Sequence, residues 1–221
     1  MNKRPRRKRN PRGQGERLRG ELIEAATALL AELGDADRLS IRAVARRAGV
    51  TPPSIYRHFE DKQSLVLAVL EERFGEFNRF LAEAEAAGSD PCDALSRRCH
   101  AYLEFAREHP GHYRVLFGTK VPIPSVRSAG RGSARSGESP RAGAVSFFAL
   151  VEAIQRCLDA GAESDRDSSF LAVELWTVLH GVVDLHITYP DLPWPPAEEI
   201  TDAVRTQAGL GRPTEEVPAG A

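Results

Sequence analysis

Residues 40–59, SIRAVARRAGVTPPSIYRHF, constrain the fold of this chain more than any other segment. Ser40 is a preferred helix-capping residue, and the apolar side chains that follow it recur at helical spacing. Gly49 allows the chain to leave this first short helix through a left-handed backbone conformation. Thr51 is a second capping residue, and Pro52 suits a first helical turn because no intrahelical N–H bond is lost there. The pattern predicts a helix-turn-helix whose second helix begins at Thr51 and runs to the end of the segment.

The second helix turns hydrogen-bonding, cationic and aromatic side chains outward, because Ile55 and Phe59 form its apolar seam. Such groups suit the base edges and phosphates of a DNA major groove, and Pro53 offers an apolar contact to a thymine methyl group. An ordinary helical hairpin with a solvated face is the alternative, but the caps, the turn and the polar face all favour DNA binding. The outward residues predicted to contact DNA are Thr51, Pro53, Ser54, Tyr56, Arg57 and His58.

Residues 49–65, GVTPPSIYRHFEDKQSL, resemble the DNA-binding domain of the TetR-type transcriptional regulators, and the resemblance extends over residues 18–80. It implies that Arg42 reaches a base edge, that Tyr56 contacts a phosphate, and that His58 contacts a base or a phosphate. A partly buried packing ring is the alternative for Tyr56. The resemblance also implies a transcriptional regulator, which is expected to repress transcription rather than activate it.

Charge is divided unevenly along the 221 residues, although the formal net charge is only -1. Residues 1–62 hold 15 Lys and Arg against 8 Asp and Glu, whereas the remainder holds 15 against 23. A basic front segment and an acidic remainder indicate one end that binds nucleic acid. Residues 1–16 form a basic arm that we expect to be disordered. The arm is predicted to contact DNA phosphates or the minor groove, with a solubilising tail as the alternative.

Helical spacing of apolar residues, interrupted by Gly and Pro, predicts an all-α chain with two folded domains. Residues 17–62 are predicted to be a three-helix, helix-turn-helix DNA-binding domain, and residues 63–210 a helical effector-binding and dimerisation domain. Within the second domain, residues 118–143 are dense in Gly, Ser, Pro and Arg, so we expect a flexible loop there. Residues 211–221 are expected to be a disordered tail.

Two helices outside the helix-turn-helix also carry predictions about binding. A long fourth helix can be capped by Asp61, and its N-terminal amides together with Lys62 are predicted to hold a DNA phosphate. Residues 170–186 are apolar on nearly all sides, so this helix must be buried within its own subunit and against a further surface. A second copy of the chain is the simplest such surface, which predicts a homodimer.

The motifs HPGHYRVLFG, residues 109–118, and ELWTVLHGVVDL, residues 174–185, resemble a TetR ligand-binding and dimerisation domain of the Trp-His-Gly type. The resemblance implies a small-molecule effector. Aromatic side chains and one histidine are the candidates for lining its pocket, and simple core packing is the alternative for each of them. We expect His180 to be a hydrogen-bonded core histidine near a close helix crossing at Gly181. The predicted effector-pocket residues are Tyr102, Phe105, Tyr113, Phe117, Phe148, Trp176 and His180.

The cysteine count and the interrupted apolar segments predict the compartment. Cys92, Cys99 and Cys157 are odd in number and lack C-x-x-C spacing, so free thiols in a reducing compartment are expected rather than a disulfide or zinc site. The charged N-terminus has no apolar stretch behind it, which argues against a secretory signal. The most apolar segment contains acidic and histidine side chains, so no membrane span is expected and the protein is predicted to be cytoplasmic.

The sequence contains no pattern typical of catalysis or of metal binding. The pair His109 and His112 lacks a carboxylate or thiol placed to complete a metal site, and no cofactor is expected. No local motif supplies a nucleophile with its base or clustered carboxylates, so the chain is not expected to be an enzyme. The helix-turn-helix and the expected homodimer predict a regulator that binds a palindromic double-stranded DNA operator. The resemblance to the TetR-type regulators implies that it is a repressor released by a small-molecule effector. A non-specific architectural DNA-binding protein is the remaining alternative.

Overall fold

The computed structural model describes residues 15–118 and 142–211, and every regular element within these residues is an α-helix. The all-α prediction is confirmed. Most of the arm, loop and tail expected at residues 1–16, 118–143 and 211–221 lies outside the described residues. In chain order the helices are α1 (Gly15–Leu33), α2 (Ile41–Arg47), α3 (Pro52–Ile55), α4 (Lys62–Ala86), α5 (Pro91–Glu108), α6 (Pro110–Gly118), α7 (Ala142–Asp159), α8 (Ser168–Thr188) and α9 (Ala197–Gln207).

The chain divides into two compact units. Among the described residues, the first unit holds residues 15–70 and 114–118, and the second holds residues 71–113 and 142–211. The division falls after Leu70, inside α4, whereas the sequence-based boundary lies after Lys62, the first residue of that helix. Because α4 is continuous, its sequence offers no chain break that could mark the division.

The first unit has a core of aliphatic side chains around α1, which packs on α2, and α2 in turn packs on α3. Its completely buried members include Leu22, Ile23, Val44, Ile55 and Leu65. The α1 helix ends before Gly34, whose φ of +66° is a conformation that other residues adopt with strain. The Arg19 guanidinium lies over the Phe59 ring, 5.5 Å from its centroid, and so links α1 to the end of the helix-turn-helix.

In the second unit, α5 packs against α7, α8 and α9, and α8 packs against α7 and α9. The α8 helix has two different sides: Leu171 and Leu175 are fully buried, whereas Phe170 and Val173 are 56% and 51% exposed. By length and composition alone, α8 is also apolar enough to cross a membrane. One such helix is weak evidence, because core helices of proteins without membrane spans have the same composition.

A disulfide joins Cys92, at the start of α5, to Cys157, in the last turn of α7. The prediction of three free thiols was therefore wrong for these two residues, while Cys99 remains a free, buried thiol. The two half-cystines are 65 positions apart in sequence. No local spacing could signal the pairing, because it depends on how α5 packs against α7.

Candidate functional site

The turn between α2 and α3 has the geometry that the sequence predicted. Ser40 accepts a hydrogen bond from the Ala43 N–H through its hydroxyl oxygen at 3.2 Å, which caps α2. Gly49 adopts a φ of +68°, and the Val50 N–H donates to the Ala45 carbonyl oxygen at 2.9 Å. This reversal satisfies carbonyl groups at the end of α2 and fixes the direction in which α3 leaves.

The recognition helix α3 is shorter than predicted, because only Pro52–Ile55 is α-helical and turns complete the segment to residue 58. The His58 N–H donates to the Ile55 carbonyl oxygen at 2.8 Å, a tighter pattern than that of an α-helix. Thr51 has the extended backbone of a cap but makes no side-chain cap bond. Its hydroxyl instead lies 3.1 Å from the Ser54 hydroxyl, and the two prolines that follow Thr51 have no N–H to donate.

The outer face of the helix-turn-helix is polar, and its inner face is held by Ile55, which is completely buried, and by Phe59. Tyr56 is 56% exposed, so the alternative of a packing ring is not supported. Arg57 donates to the Ser54 hydroxyl at 3.3 Å, which orients its guanidinium along the same face. Five of the predicted DNA-contacting residues are exposed, namely Arg42, Thr51, Pro53, Tyr56 and Arg57, and three are half-buried, namely Ser54, His58 and Lys62.

The start of α4 differs from the phosphate site that the sequence suggested. Asp61 caps the helix as predicted, accepting from the Ser64 N–H at 2.7 Å, while its own N–H donates to the Ser64 hydroxyl at 3.1 Å. The Ser64 backbone N–H holds the pKa of the Asp61 carboxyl below its usual value. Lys62 donates through its ammonium to the carbonyl oxygens of Ala36 and Asp37 at 3.1 and 3.3 Å. Groups expected to hold a phosphate therefore have partners within the chain.

The start of α1 lies beside the outer face of the helix-turn-helix. A Cβ placed on Gly15 would be 4.0 Å from the Cε1 atom of His58. The basic arm that precedes α1 is thus attached to the chain next to a predicted DNA contact. No local spacing in the sequence signals this neighbourhood, because it arises from the packing of α1 against the end of the helix-turn-helix.

The candidate effector residues are divided between the two units. Phe117 belongs to the first unit, and the other six belong to the second. Three of these six, Tyr102, Phe105 and Tyr113, are buried. Phe77 of α4, which the sequence analysis did not select, packs its ring against Tyr102 and Phe105 with centroids 5.5 and 5.0 Å apart.

A hydrogen-bonded group, the Tyr-Tyr-His cluster, consists of Tyr102, Tyr113 and His180. The Tyr102 and Tyr113 hydroxyls are 3.2 Å apart, and both bond to His180 Nδ1, the Tyr113 contact measuring 3.1 Å. The prediction of a hydrogen-bonded His180 is confirmed. The expected close crossing at Gly181 is wrong, because a Cβ placed there would meet nothing within 4 Å.

Burial keeps the Tyr-Tyr-His cluster neutral at pH 7. It lowers the pKa of His180 to about 4, against the opposing influence of the Asp184 carboxylate. Burial also raises the pKa of Tyr113 to about 12 and raises that of Tyr102 as well. Nδ1 of the neutral His180 ring is then an acceptor with one lone pair, so only one tyrosine hydroxyl can donate to it. The second tyrosine hydroxyl donates to the oxygen of the first. Asp184 was missed in the sequence, although its spacing of four from His180 on a helix was a usable signal.

Two predicted pocket residues lie at the surface of the second unit. Phe148 is 45% exposed and Trp176 is 40% exposed, so the structure does not enclose them within one chain. The Trp176 ring contacts the rings of His180 and Phe147, with centroids 4.9 and 5.6 Å apart. Phe148 lies in α7 and Trp176 in α8. We name the exposed apolar side chains of α7 and α8 the outer apolar face, which consists of Val145, Phe148, Phe170, Val173, Trp176, Leu185 and Ile187.

Two family models match the chain. One, described as bacterial regulatory proteins of the tetR family, matches residues 22–69, and the other, the tetracyclin repressor-like C-terminal domain, matches residues 95–206. This chain belongs to the TetR family. It is a transcriptional regulator with a helix-turn-helix DNA-binding domain, as the sequence predicted. The Trp-His-Gly subtype stays a prediction, because the matching C-terminal model is the tetracyclin repressor-like one.

Solved structures share the fold over almost the whole chain. A protein of unknown function from Rhodococcus sp. RHA1 is 25% identical with a TM-score of 0.66, covering 94% of this chain and 97% of that chain. A candidate transcriptional regulator from Pseudomonas aeruginosa PAO1 is 21% identical with a TM-score of 0.68, covering 90% and 94%. A TetR family transcription regulator from Marinobacter aquaeolei VT8 is 18% identical with a TM-score of 0.65, covering 90% and 97%.

Proposed function

We propose that this TetR-family regulator is a cytoplasmic repressor that binds a palindromic operator as a homodimer and is released by a small-molecule effector. The observation that carries the proposal is the polar outer face around α3, where Tyr56 is exposed and Ile55 beneath it is completely buried. Such a surface matches a polar, charged partner, and DNA presents hydrogen-bonding base edges between phosphates. The proposed function requires no catalysis and no cofactor.

We assign the contacts with DNA bases to the first turn of α2 and to α3. Arg42 and the side chains of Thr51 and Ser54 are proposed to contact base edges, and Tyr56 a phosphate. Arg57 and His58 are proposed to contact bases or phosphates at the end of the same face. The basic arm would add phosphate or minor-groove contacts, because it joins the chain beside His58. Lys62 is the weakest of the predicted contacts, since two carbonyl oxygens already accept from its ammonium.

Dimerisation is proposed to cover the outer apolar face. Its members are 40% or more exposed in a single chain, which is unfavourable in water. A second copy would bury these side chains against their own symmetry mates in a two-fold interface. Two recognition helices would then read two half-sites, which doubles the sequence information and predicts a palindromic operator.

The effector is proposed to bind near the Tyr-Tyr-His cluster, which places neutral hydrogen-bonding groups among the aromatic rings of the second unit. Phe77 connects this cluster to α4, because its ring packs on Tyr102. The α4 helix contributes residues to both units, so its displacement by a bound effector is the proposed route to DNA release. Trp176 contacts His180 from the outer apolar face, which would allow the effector to influence the dimer as well.

The DNA-binding proposal is tested by selecting bound sequences from a random pool of duplex DNA and measuring affinity for them. Arg42→Ala and Tyr56→Ala are each expected to abolish operator retention in gel shifts without loss of helix content. Arg97→Ala is the matched control, because Arg97 is an exposed arginine of the second unit paired with Asp93. Equal binding by parent, Arg42→Ala and Tyr56→Ala would contradict the proposed interface. A selection that yields no common sequence, with salt-dependent binding to all DNA, would favour an architectural protein.

The dimer proposal is tested by placing a charge on the outer apolar face. Val173→Asp is expected to shift the protein from dimer to monomer in sedimentation experiments, because an unpaired carboxylate would be buried in the interface. Leu67→Asp is the control, since Leu67 is an exposed apolar residue on α4 in the first unit. A parent protein that is strictly monomeric at micromolar concentration would overturn the proposed dimer.

A further inference from the structure

The disulfide between Cys92 and Cys157 is unusual for the compartment in which a DNA-binding regulator works. Cytosolic thiols are kept reduced, and disulfides that do form there are usually transient and serve catalysis or redox sensing. If the proposed function is correct, we therefore expect the Cys92–Cys157 disulfide to have more than a structural role. The Cα atoms of the two residues are 4.9 Å apart, so the thiols remain neighbours when the bond is open, as long as α5 and α7 stay packed.

Access to the two sulfur atoms is unequal. Both half-cystines are buried, with Cys92 2% and Cys157 0% exposed, but only Cys92 lines a cavity of about 270 Å³. A small polar molecule entering this cavity would therefore meet Cys92 first. The lining residues of the cavity are Cys92, Asp93, Ser96, Arg205, Thr206 and Gly211.

We propose that Cys92 and Cys157 form a hydroperoxide-reactive thiol pair, in which Cys92 reacts with the peroxide from this cavity and Cys157 resolves the product as a disulfide. In the first step, the Cys92 thiolate attacks one peroxide oxygen; the S–O bond forms, the O–O bond breaks, and the leaving hydroxide takes a proton to become water. In the second step, the Cys157 thiol attacks the Cys92 sulfenic acid; the S–S bond forms, the S–O bond breaks, and a second water leaves. Two thiols lose two electrons, and the peroxide gains them.

The surroundings of Cys92 favour its role as the attacking residue. It occupies the first turn of α5, where the helix dipole stabilises a thiolate. Arg205 adds a cation to the cavity, although Asp202 is 3.3 Å from its guanidinium. The carboxylates nearby already have partners: Asp90 accepts from the first-turn amides of α5, and Asp93 accepts from the Ser89 N–H and the Arg97 side chain.

Cys99 provides a contrast within the same helix. It is completely buried, and burial raises the pKa of its thiol to about 12, so it stays protonated at neutral pH. Because the thiolate is the reactive form, Cys99 should not react with peroxide. The chain thus contains its own unreactive control.

The redox state of the pair would act on the regulator through α7. The disulfide fixes the last turn of α7 to the first turn of α5. The other end of α7 carries Val145 and Phe148, which belong to the outer apolar face proposed for dimerisation. Opening the bond would free α7 to shift against α5 and would alter the dimer that presents the recognition helices.

The chemistry is tested on the full chain, reduced and then treated with hydrogen peroxide. The parent is expected to lose the mass of two hydrogen atoms and to yield a Cys92–Cys157 cross-linked peptide. Dimedone added during oxidation is expected to trap a sulfenic acid on Cys92 in the parent and, more completely, in Cys157→Ser. Cys92→Ser should form no adduct, and Cys99→Ser should behave like the parent. A dimedone adduct on Cys157 or Cys99 instead of Cys92 would overturn the proposal, and so would a parent that does not react. Both outcomes are read on the parent protein, so they do not depend on how well a cysteine variant folds.

Regulation is tested with the same two forms of the parent and the selected operator. The reduced and oxidised proteins are expected to differ in operator affinity by about tenfold or more, which is a typical allosteric coupling. Equal affinities would overturn the regulatory role of the pair. If neither form binds any DNA while the disulfide still forms by way of Cys92, the proposed function fails and the reactive pair stands.

Discussion

The two units of this protein expose opposite kinds of surface. In the first unit, α3 exposes polar side chains and depends on a single buried aliphatic residue, Ile55, and on the turn at Gly49. In the second unit, α8 buries one apolar side and exposes another, and a disulfide and the Tyr-Tyr-His cluster lie among its helices. The first surface suits a polar partner, and the second suits an apolar one.

This difference also predicts where each unit is vulnerable. The helix-turn-helix relies on a few local features, so single substitutions there should have local effects. The second unit relies on the Cys92–Cys157 disulfide and on the Tyr-Tyr-His cluster. The two tryptophans of the chain, Trp176 and Trp194, both lie in the second unit, so tryptophan fluorescence reports on that unit separately.

Reduction of the disulfide should have the largest effect on stability. Opening a loop closed across 65 positions is expected to lower the free energy of unfolding of the second unit by about 4 kcal/mol. Urea unfolding followed by tryptophan fluorescence, with and without reductant, measures this loss. The Cys92→Ser and Cys157→Ser double variant is the control, because reductant should no longer shift its midpoint. A parent midpoint that is also unaffected would show that the bond does not stabilise the unit.

Ile55→Ala should have the next largest effect and should act on the first unit. Removing a completely buried aliphatic side chain is expected to cost about 3 kcal/mol. Hydrogen exchange of the α1–α3 amides should rise, while the fluorescence transition of the second unit stays in place. Leu67→Ala is the control, because Leu67 is 38% exposed and should cost less than about 1 kcal/mol. Equal costs for the two variants would argue against Ile55 as the anchor of α3.

Gly49→Ala should have a smaller effect, because it changes only the turn. A non-glycine residue at a φ of +68° is expected to cost about 1–2 kcal/mol and to weaken operator binding. The matched control is Gly20→Ala, since Gly20 lies inside α1 with open space around its Cα. There alanine should stabilise the helix by up to about 1 kcal/mol. The sign of the difference between the two variants, measured by hydrogen exchange, decides this prediction.

The pH dependence of His180 should be the smallest effect. Its folded-state pKa of about 4 lies below the ordinary value of 6.5, so the unfolded chain binds the proton first as pH falls. The stability contributed by neutral His180 is therefore full above pH 6.5 and is lost as pH falls toward 4. Partial exposure keeps the slope below the ~1.4 kcal/mol per pH unit of one fully shifted proton.

Urea midpoints followed by tryptophan fluorescence between neutral and acidic pH test this assignment. His180→Gln should flatten the dependence, whereas the control His58→Gln, in the first unit, should leave it intact. A dependence that survives in His180→Gln would assign the proton to another group.

Local signals account for most of what the sequence predicted correctly. Ser40, Gly49 and Asp61 each act through the backbone within a few residues, so their roles can be predicted from the neighbouring sequence. The length of α3 was overestimated, because helical spacing of apolar residues does not distinguish an α-helix from the tighter turns that complete the segment.

Features that depend on packing between distant segments could not be read in this way. The Cys92–Cys157 bond and the pairing of Lys62 with the Ala36 and Asp37 carbonyls join residues far apart in sequence. The sequence predicts Phe148 and Trp176 as pocket residues, yet both are 40% or more exposed in a single chain, because helical periodicity does not distinguish a core position from an exposed apolar one.

The hydrogen bonds from Lys62 to Ala36 and Asp37 attach the first residue of α4 to the segment that leads into α2. These two bonds would transmit a movement of that first turn to the entry of α2. For the proposed regulator, loss of the operator would then require only a change in the tilt of the helix-turn-helix.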